Sequence, residues 1–415
     1  GKMQKEDPFV FTAKYYTGIE LVDREHRKLF EIIGEVNALI HNDLLHDKYD
    51  EIVRLLDELR EYTKFHFEDE EAYMQKINSP MLEAQKRAHQ AFVDKLMSID
   101  LDKLEEIDDN QQEYLHELLV ALGGCFSERS GIINIGLEGI MVIGALGGVM
   151  VLHNLSPQLP GIVILLLTVA ASIAAGMIYS LLLAVASINF KADQTLVGTA
   201  MNMLGLALAT VIAKAYNIAT TSGADNSARI AFVENKKALA LVEGTAFNWF
   251  MILAFAALAV GWVVLYKTRF GLRLMACGEH PQAADSVGIN VKKMRYSGVL
   301  ISGAVGGLGG IAYVTAGVSM CNFEVGVAGF GFLALAVMIF GQWKPLRIAI
   351  AALLFGFFRA LANVYSGFDF LTALNIPKPV YNMLPYIISL IVLAFTSKKS
   401  LAPKAEGIPY DKGSR

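Results

Sequence analysis

The chain has 415 residues, a formal charge of −4 and 54% hydrophobic residues, with no basic surplus of the kind a nucleic-acid binder needs. Those averages describe neither half. Residues 1–122 hold 15 Lys+Arg against 28 Asp+Glu, a net −13, whereas residues 123–415 hold 21 against 12, a net +9. Such an asymmetry reads as two units in different surroundings: an acidic soluble domain, then an apolar segment with the composition of a polytopic membrane protein.

Three cysteines, Cys125, Cys277 and Cys321, lie far apart with no CxxC pair, so no disulfide framework is expected. The opening GKMQKEDPF shows no apolar signal-peptide core, and with no disulfide framework the soluble part is expected to be cytosolic. Four amphipathic stretches follow, at about 20–42, 47–76, 80–98 and 108–122, and short connections between them favour an up-down bundle. Six of the eight histidines precede residue 117. His66 and Glu70 are four apart and share one helix face; His26 stands in the first stretch and His89 in the third. Each alone is more often a satisfied boundary residue than a ligand. Together they are the residue types with which a bundle holds metal in its core, because imidazoles and a carboxylate from neighbouring helices converge there.

The stretches GIELVDREHRKLFEII, YTKFHFEDEEAYM and LEAQKRAHQAF resemble bacterial hemerythrins over residues 8–119. That resemblance implies a carboxylate-bridged di-iron centre that binds dioxygen, held by five histidines, a glutamate and an aspartate. It places His26, His66, Glu70 and His89 at four of the seven ligand positions. Gln85 stands where a fifth histidine belongs, and the last His-x4-Asp pair is missing, because EYLHELLV runs into ALGGCFSERSG. His116 falls too early to substitute. With three ligands gone, a stable di-iron centre is not expected.

From Ile132 onwards eight apolar stretches are long enough to suggest spans, at about 132–153, 160–188, 195–213, 248–266, 296–318, 329–343, 346–366 and 380–397. The second is long and the sixth short. Glycine clusters at 144–148 and 302–310 read as close helix packing. No GxxxxGK[ST] phosphate loop occurs, so the chain is not expected to be an enzyme, and any ATP-driven role needs a separate subunit. Glu138, Gln194, Asn202 and Asn363 are polar residues within or beside spans, candidates for a substrate path or for interhelical hydrogen bonds. The loop 267–295 carries Lys267, Arg269, Arg273, Lys292, Lys293 and Arg295, and the tail begins with Lys398 and Lys399. Both are expected to face the cytoplasm, with the acidic domain on the same side and 214–247 outside. HPQAADSVGI within that loop reads as a short helix opened by Pro281.

The stretches GGCFSERSGIINIGLEGIMVIGA, KADQTLVGTAMN, TRFGLRLMACGEHPQAADSVGINVKKMRYSGVLISGAVGGLGG and GFGFLALAVMIFGQWKPLRIAIAALLFGF resemble ABC-importer permeases of the nucleoside and simple-sugar branch, over residues 119–400. What this implies is a subunit of the substrate path for a nucleoside, working in the bilayer with an ATPase subunit, a second permease subunit and an extracellular substrate-binding lipoprotein. Glu279, His280, Pro281, Ala284 and Gly288 fall in the loop that meets the ATPase in that family. Such permeases carry an apolar helix ahead of ALGGxFSERSG; here DDNQQEYLHELLV takes its place.

The expected architecture is therefore all-α: a soluble four-helix bundle (1–119) fused to a membrane domain of about eight spans (120–400), with a polar tail (401–415). Both likenesses break off near residues 117–123 without a linker. Beside a permease with a degenerate hemerythrin-like appendage, two other readings stay open: a membrane-anchored di-iron oxygen-binding or sensing protein, and a non-functional chimera of two genes.

Overall fold

A computed structural model describes residues 20–40, 48–77, 82–97, 113–241, 247–317, 320–364 and 400–413, with a few separate positions between 380 and 391. It divides into two compact units, Gly1–Asp108 and Asp109–Arg415.

The first unit contains three described helices: α1 (Glu20–Ile40), α2 (Lys48–Lys76) and α3 (Leu82–Met97). Glu20 and Asp23 sit in the first turn of α1, where negative charge is favoured by the helix dipole. The apolar stripe of α1 meets that of α2 through Ile32 and Leu59, flanked by Leu29 and Tyr62, and α3 packs against α2.

The fourth amphipathic stretch behaves differently. It forms α4 (Glu113–Arg129), a helix of the second unit. Leu115 and every residue from Leu118 to Leu122 are buried in the second unit's apolar core. A helix buried on all sides cannot be the surface wall of a small bundle. Apolar spacing alone did not separate these two fates.

After α4 come α5 (Leu137–Asn154), α6 (Gly161–Ala184, its winding continued to Asn189) and α7 (Gln194–Thr220). Next are α8 (Trp249–Lys267), the loop helices α9 (Arg269–Glu279) and α10 (Pro281–Ser286), and α11 (Val291–Gly317). Two further helices, α12 (Phe330–Phe340) and α13 (Pro345–Val364), follow. Among the described residues, five helices are long and apolar enough to cross a membrane: α5, α6 with its extension, α7, α8 and α11. The expected long second span is the 29-residue Gly161–Asn189. The expected short sixth is α12, with 11 residues. The seventh corresponds to α13; the eighth, 380–397, lies largely outside the described residues.

The centre of the second unit is α11, which packs against α4, α5 and α6. Glycine permits it. A Cβ on Gly144 would run into the backbone of Gly307, and one on Gly176 into the carbonyl of Gly303, so three helices meet backbone to backbone. The Ser172 hydroxyl lies 2.8 Å from the Gly144 carbonyl and 2.7 Å from that of Gly307, tying the same junction together. The three cysteines are buried, and none is in a disulfide.

A small cap closes one end. Strand β1 (Arg229–Ala231) pairs antiparallel with β2 (Met320–Asn322), Ile230 opposite Cys321. Asn217 donates to the carbonyls of Ser227 and Arg229, and Asn235 to those of Leu152 and Leu155.

Candidate functional site

In the first unit, α1, α2 and α3 bring four sequence candidates together. His26, His66 and Glu70 offer ligand atoms that all lie within 4.8 Å of one another. His89 joins from α3, its Nε2 3.3 Å from Glu70 Oε2, which is also 3.7 Å from His66 Nε2. Behind the imidazoles stand two carboxylates that the sequence reading did not single out. His66 Nδ1 is 2.8 Å from Glu25 Oε2, and His89 Nδ1 is 2.9 Å from Glu71 Oε1. With a proton on each Nδ1, both imidazoles donate to these carboxylates and turn Nε2 lone pairs towards Glu70. An Nε2 lone pair facing a carboxylate oxygen is acceptor against acceptor, an arrangement that a proton or a cation must bridge. Burial and the neighbouring His66 hold His26 below the usual imidazole range, which favours the neutral, ligating form. His89 is fixed by stacking on Phe67, ring centroids 3.8 Å apart and 4° from parallel.

The chemistry of this donor set fits a cation. Gln85, at the position of the absent histidine, puts its Nε2 3.5 Å from Glu70 Oε1, so an amide hydrogen occupies the place of a ligand lone pair. The signal for Glu25 and Glu71 was adjacency: each is next in sequence to a ligand-type residue. His116 takes no part. It belongs to α4 in the second unit, its ring edge-on to Tyr313 and Phe330.

In the second unit, the polar candidates are engaged with backbone. Glu138, in the first turn of α5, accepts from the amides of Gly329 (2.8 Å) and Gly331 (2.6 Å), so it caps the N-terminus of α12 from another helix. Asn202 Oδ1 accepts from Gly139 N and its Nδ2 donates to Ile135 O, both at 2.9 Å. Gln194 Oε1 accepts from Ile133 N at 2.7 Å. Together Gln194 and Asn202, both on α7, clamp the irregular corner 130–136 between α4 and α5. Asn363 falls within α13, and its side chain lies outside the described residues.

The loop residues lie on one short stretch. Glu279 ends α9, and His280 is the junction, with φ −142° and ψ 80°. Pro281 opens α10, as the sequence predicts. Gly288 follows at φ +85°, a left-handed conformation suited to glycine. Pro281 and Ala284 face inward, whereas His280, Gln282, Ala283, Ser286 and Val287 form an exposed face, Val287 being 75% exposed.

Residues 117–393 match the family described as the branched-chain amino acid transport system / permease component. The chain belongs to that permease family. Residues 17–123 match the hemerythrin HHE cation binding domain, so the two matches overlap within α4. The permease part is 41% identical to the guanosine ABC transporter permease protein NupQ of Bacillus subtilis, over 72% of this chain and 93% of that protein. It is 39% identical to the nucleoside ABC transporter permease protein NupC of Lactococcus lactis, over 71% and 93% respectively. The bacteriohemerythrin of Clostridium acetobutylicum is 40% identical over 27% of this chain and 84% of its own length. No solved structure matches the chain. The permease is thus a multi-pass membrane protein with a hemerythrin-type domain ahead of its membrane helices.

Proposed function

We propose that this permease is the membrane subunit of an ABC importer for nucleosides. The observation that carries the reading is the likeness to nucleoside permeases along 93% of their length, at 41% and 39% identity. In this reading a separate ATPase subunit docks on the exposed face of α10, a second permease subunit completes the path, and an extracellular lipoprotein delivers the nucleoside. The acidic domain and the segment 400–413 lie on the cytoplasmic side with α10. Glu279, His280, Pro281, Ala284 and Gly288 present the docking helix. Glu138, Gln194 and Asn202 shape the path by holding the 130–139 corner and α12 in place, and Asn363 is a further path candidate. The test is uptake of radiolabelled nucleoside in a transport-deficient strain expressing this chain with its ATPase and second permease. Uptake that requires the chain supports the reading. Background uptake, with the chain shown to be in the membrane, refutes it.

For the first unit we infer a cation site of four ligands, His26, His66, Glu70 and His89, with Glu25 and Glu71 orienting two of the imidazoles. Iron bound in a hemerythrin site supplies reversible dioxygen binding. The four ligands suit one cation better than a di-iron centre. The convergence of these side chains is also what favours the second reading, a membrane-anchored metal-dependent sensor. Metal analysis decides between one and two ions per chain, and two irons with an oxygen-dependent visible spectrum would overturn the single-cation assignment.

A third reading, the joining of two unrelated genes, is favoured by His116. It is 1% exposed in an apolar environment, and neither ring nitrogen has a hydrogen-bond partner among the described residues. Single-molecule DNA reads across codons 100–150 test it directly. Unbroken reads establish the fusion as one real gene, and reads that diverge near residue 120 mean two separate genes.

A further inference from the structure

The segment 400–413 lies along the same side of the second unit as α10 and is held at many points. Leu401 N donates to Gln342 Oε1 (3.0 Å), Ala405 N to the Gly278 carbonyl (2.8 Å) and Gly407 N to the Gly131 carbonyl (3.2 Å). Arg295, 1% exposed at the start of α11, donates from Nη1 to the Ile408 carbonyl at 2.9 Å. Tyr410 is buried in a cluster with Cys277, Ala284 and Val291, so its ring covers the inward face of α10. Lys191 closes the far end on Asp411 at 3.1 Å. The exposed face of α10 points the other way and remains open.

One contact in this seam is unusual. Glu406 meets Glu128, the penultimate residue of α4, through a hydrogen bond between their side chains. Two ionised carboxylates have no hydrogen to share, so one of the pair carries a proton. Trp343 Nε1 donates to Glu128 Oε2 at 2.6 Å, and the Asn134 backbone amide also donates to the Glu128 carboxyl. The Arg129 guanidinium is the cation beside the pair, and it is spent on the Trp343 carbonyl, at 3.0 Å from Nε and 2.8 Å from Nη2. Arg295 and Tyr410 stand further along the seam, and Lys191 and Lys292 act on Asp411. Burial raises the Glu406 carboxyl above the ordinary carboxylate range.

We propose that residues 400–413 are a strap that braces α10 from behind and is latched by a proton shared between Glu128 and Glu406. The strap holds the helix whose open face receives the ATPase, a consequence that rests on the ATPase-docking reading above. Docking the strap takes up a proton, because the docked pair retains one that the separated carboxylates release. The strap is therefore held more firmly as pH falls and loosens as pH rises through the titration of the docked pair. Between the ordinary carboxylate range and that titration, one linked proton weakens docking about tenfold per pH unit.

The test is amide hydrogen exchange on the detergent-solubilised full chain from pH 5 to pH 8, corrected for intrinsic exchange. In the wild type, protection at Ala405 and Gly407 falls with rising pH at up to about tenfold per unit. Glu406→Gln supplies a permanent neutral donor, so its profile is flat and protected at pH 8. Tyr410→Ala loses protection both in 401–411 and in α10. A flat wild-type profile, or a Glu406→Gln profile that keeps the wild-type slope, overturns the latch. A freed strap with α10 protection unchanged overturns the bracing. Co-purification of the ATPase subunit with the wild-type chain is scored separately. If it fails while the exchange behaves as expected, the docking reading falls and the strap stands.

Discussion

Glu70 and Glu138 are both glutamates on helices with little exposure, yet their surroundings give them opposite roles. Glu70 faces imidazole nitrogens of His66 and His89, groups that compete with it for a proton or a cation. Glu138 faces the amides of Gly329 and Gly331, which donate one to each of its oxygens. The difference teaches that a buried carboxylate announces a ligand only when its neighbours are also acceptors. Where its neighbours are orphan amides, it is a cap.

The comparison can be broken by four substitutions, here in order of expected effect. Gly307→Leu forces a side chain into the junction of α5, α6 and α11. Overpacking there should cost about 3 kcal/mol or more, read as loss of the monodisperse peak in size-exclusion chromatography. Glu138→Ala leaves the α12 amides without their cap, at a cost of roughly 2 kcal/mol, seen as a lower melting temperature of the solubilised chain with its metal content unchanged. Glu70→Ala should do the reverse, weakening metal binding at least about tenfold by equilibrium dialysis while nucleoside uptake stays at the wild-type level. If Glu70→Ala also abolished uptake, the two units would be functionally coupled and the contrast drawn here would fail. His116→Leu should stabilise the second unit by about 1 kcal/mol, because the imidazole is buried without a hydrogen-bond partner among the described residues. A destabilised His116→Leu variant would mean that the imidazole is used.

The convergence of His66 and Glu70 was legible because HFEDE sets them four apart on one helix, and spacing on a helix fixes which side chains share a face. The loop helix was legible for a similar reason: Pro281 and Gly288 mark its two ends. Glu25 and Glu71 were not singled out, because an oriented imidazole depends on a contact across helices that one strand of sequence does not display. The role of Glu138 was hidden likewise, since the amides it caps lie about 190 residues further along, at Gly329 and Gly331. The packing of α4 was open in the sequence because ELLVALGG has the apolar content to line either a soluble bundle or a membrane core, and its burial on all sides is visible only in three dimensions.

The glycine junction has a mechanical consequence. Any importer must open first to one side of the membrane and then to the other, so some of its helices must shift against the rest. Gly144, Gly176, Gly303 and Gly307 leave α5, α6 and α11 in backbone contact, and Ser172 fastens two of the carbonyls there. These three helices form a stator. Probes attached to α5 and α11 should therefore keep one distance through the whole cycle.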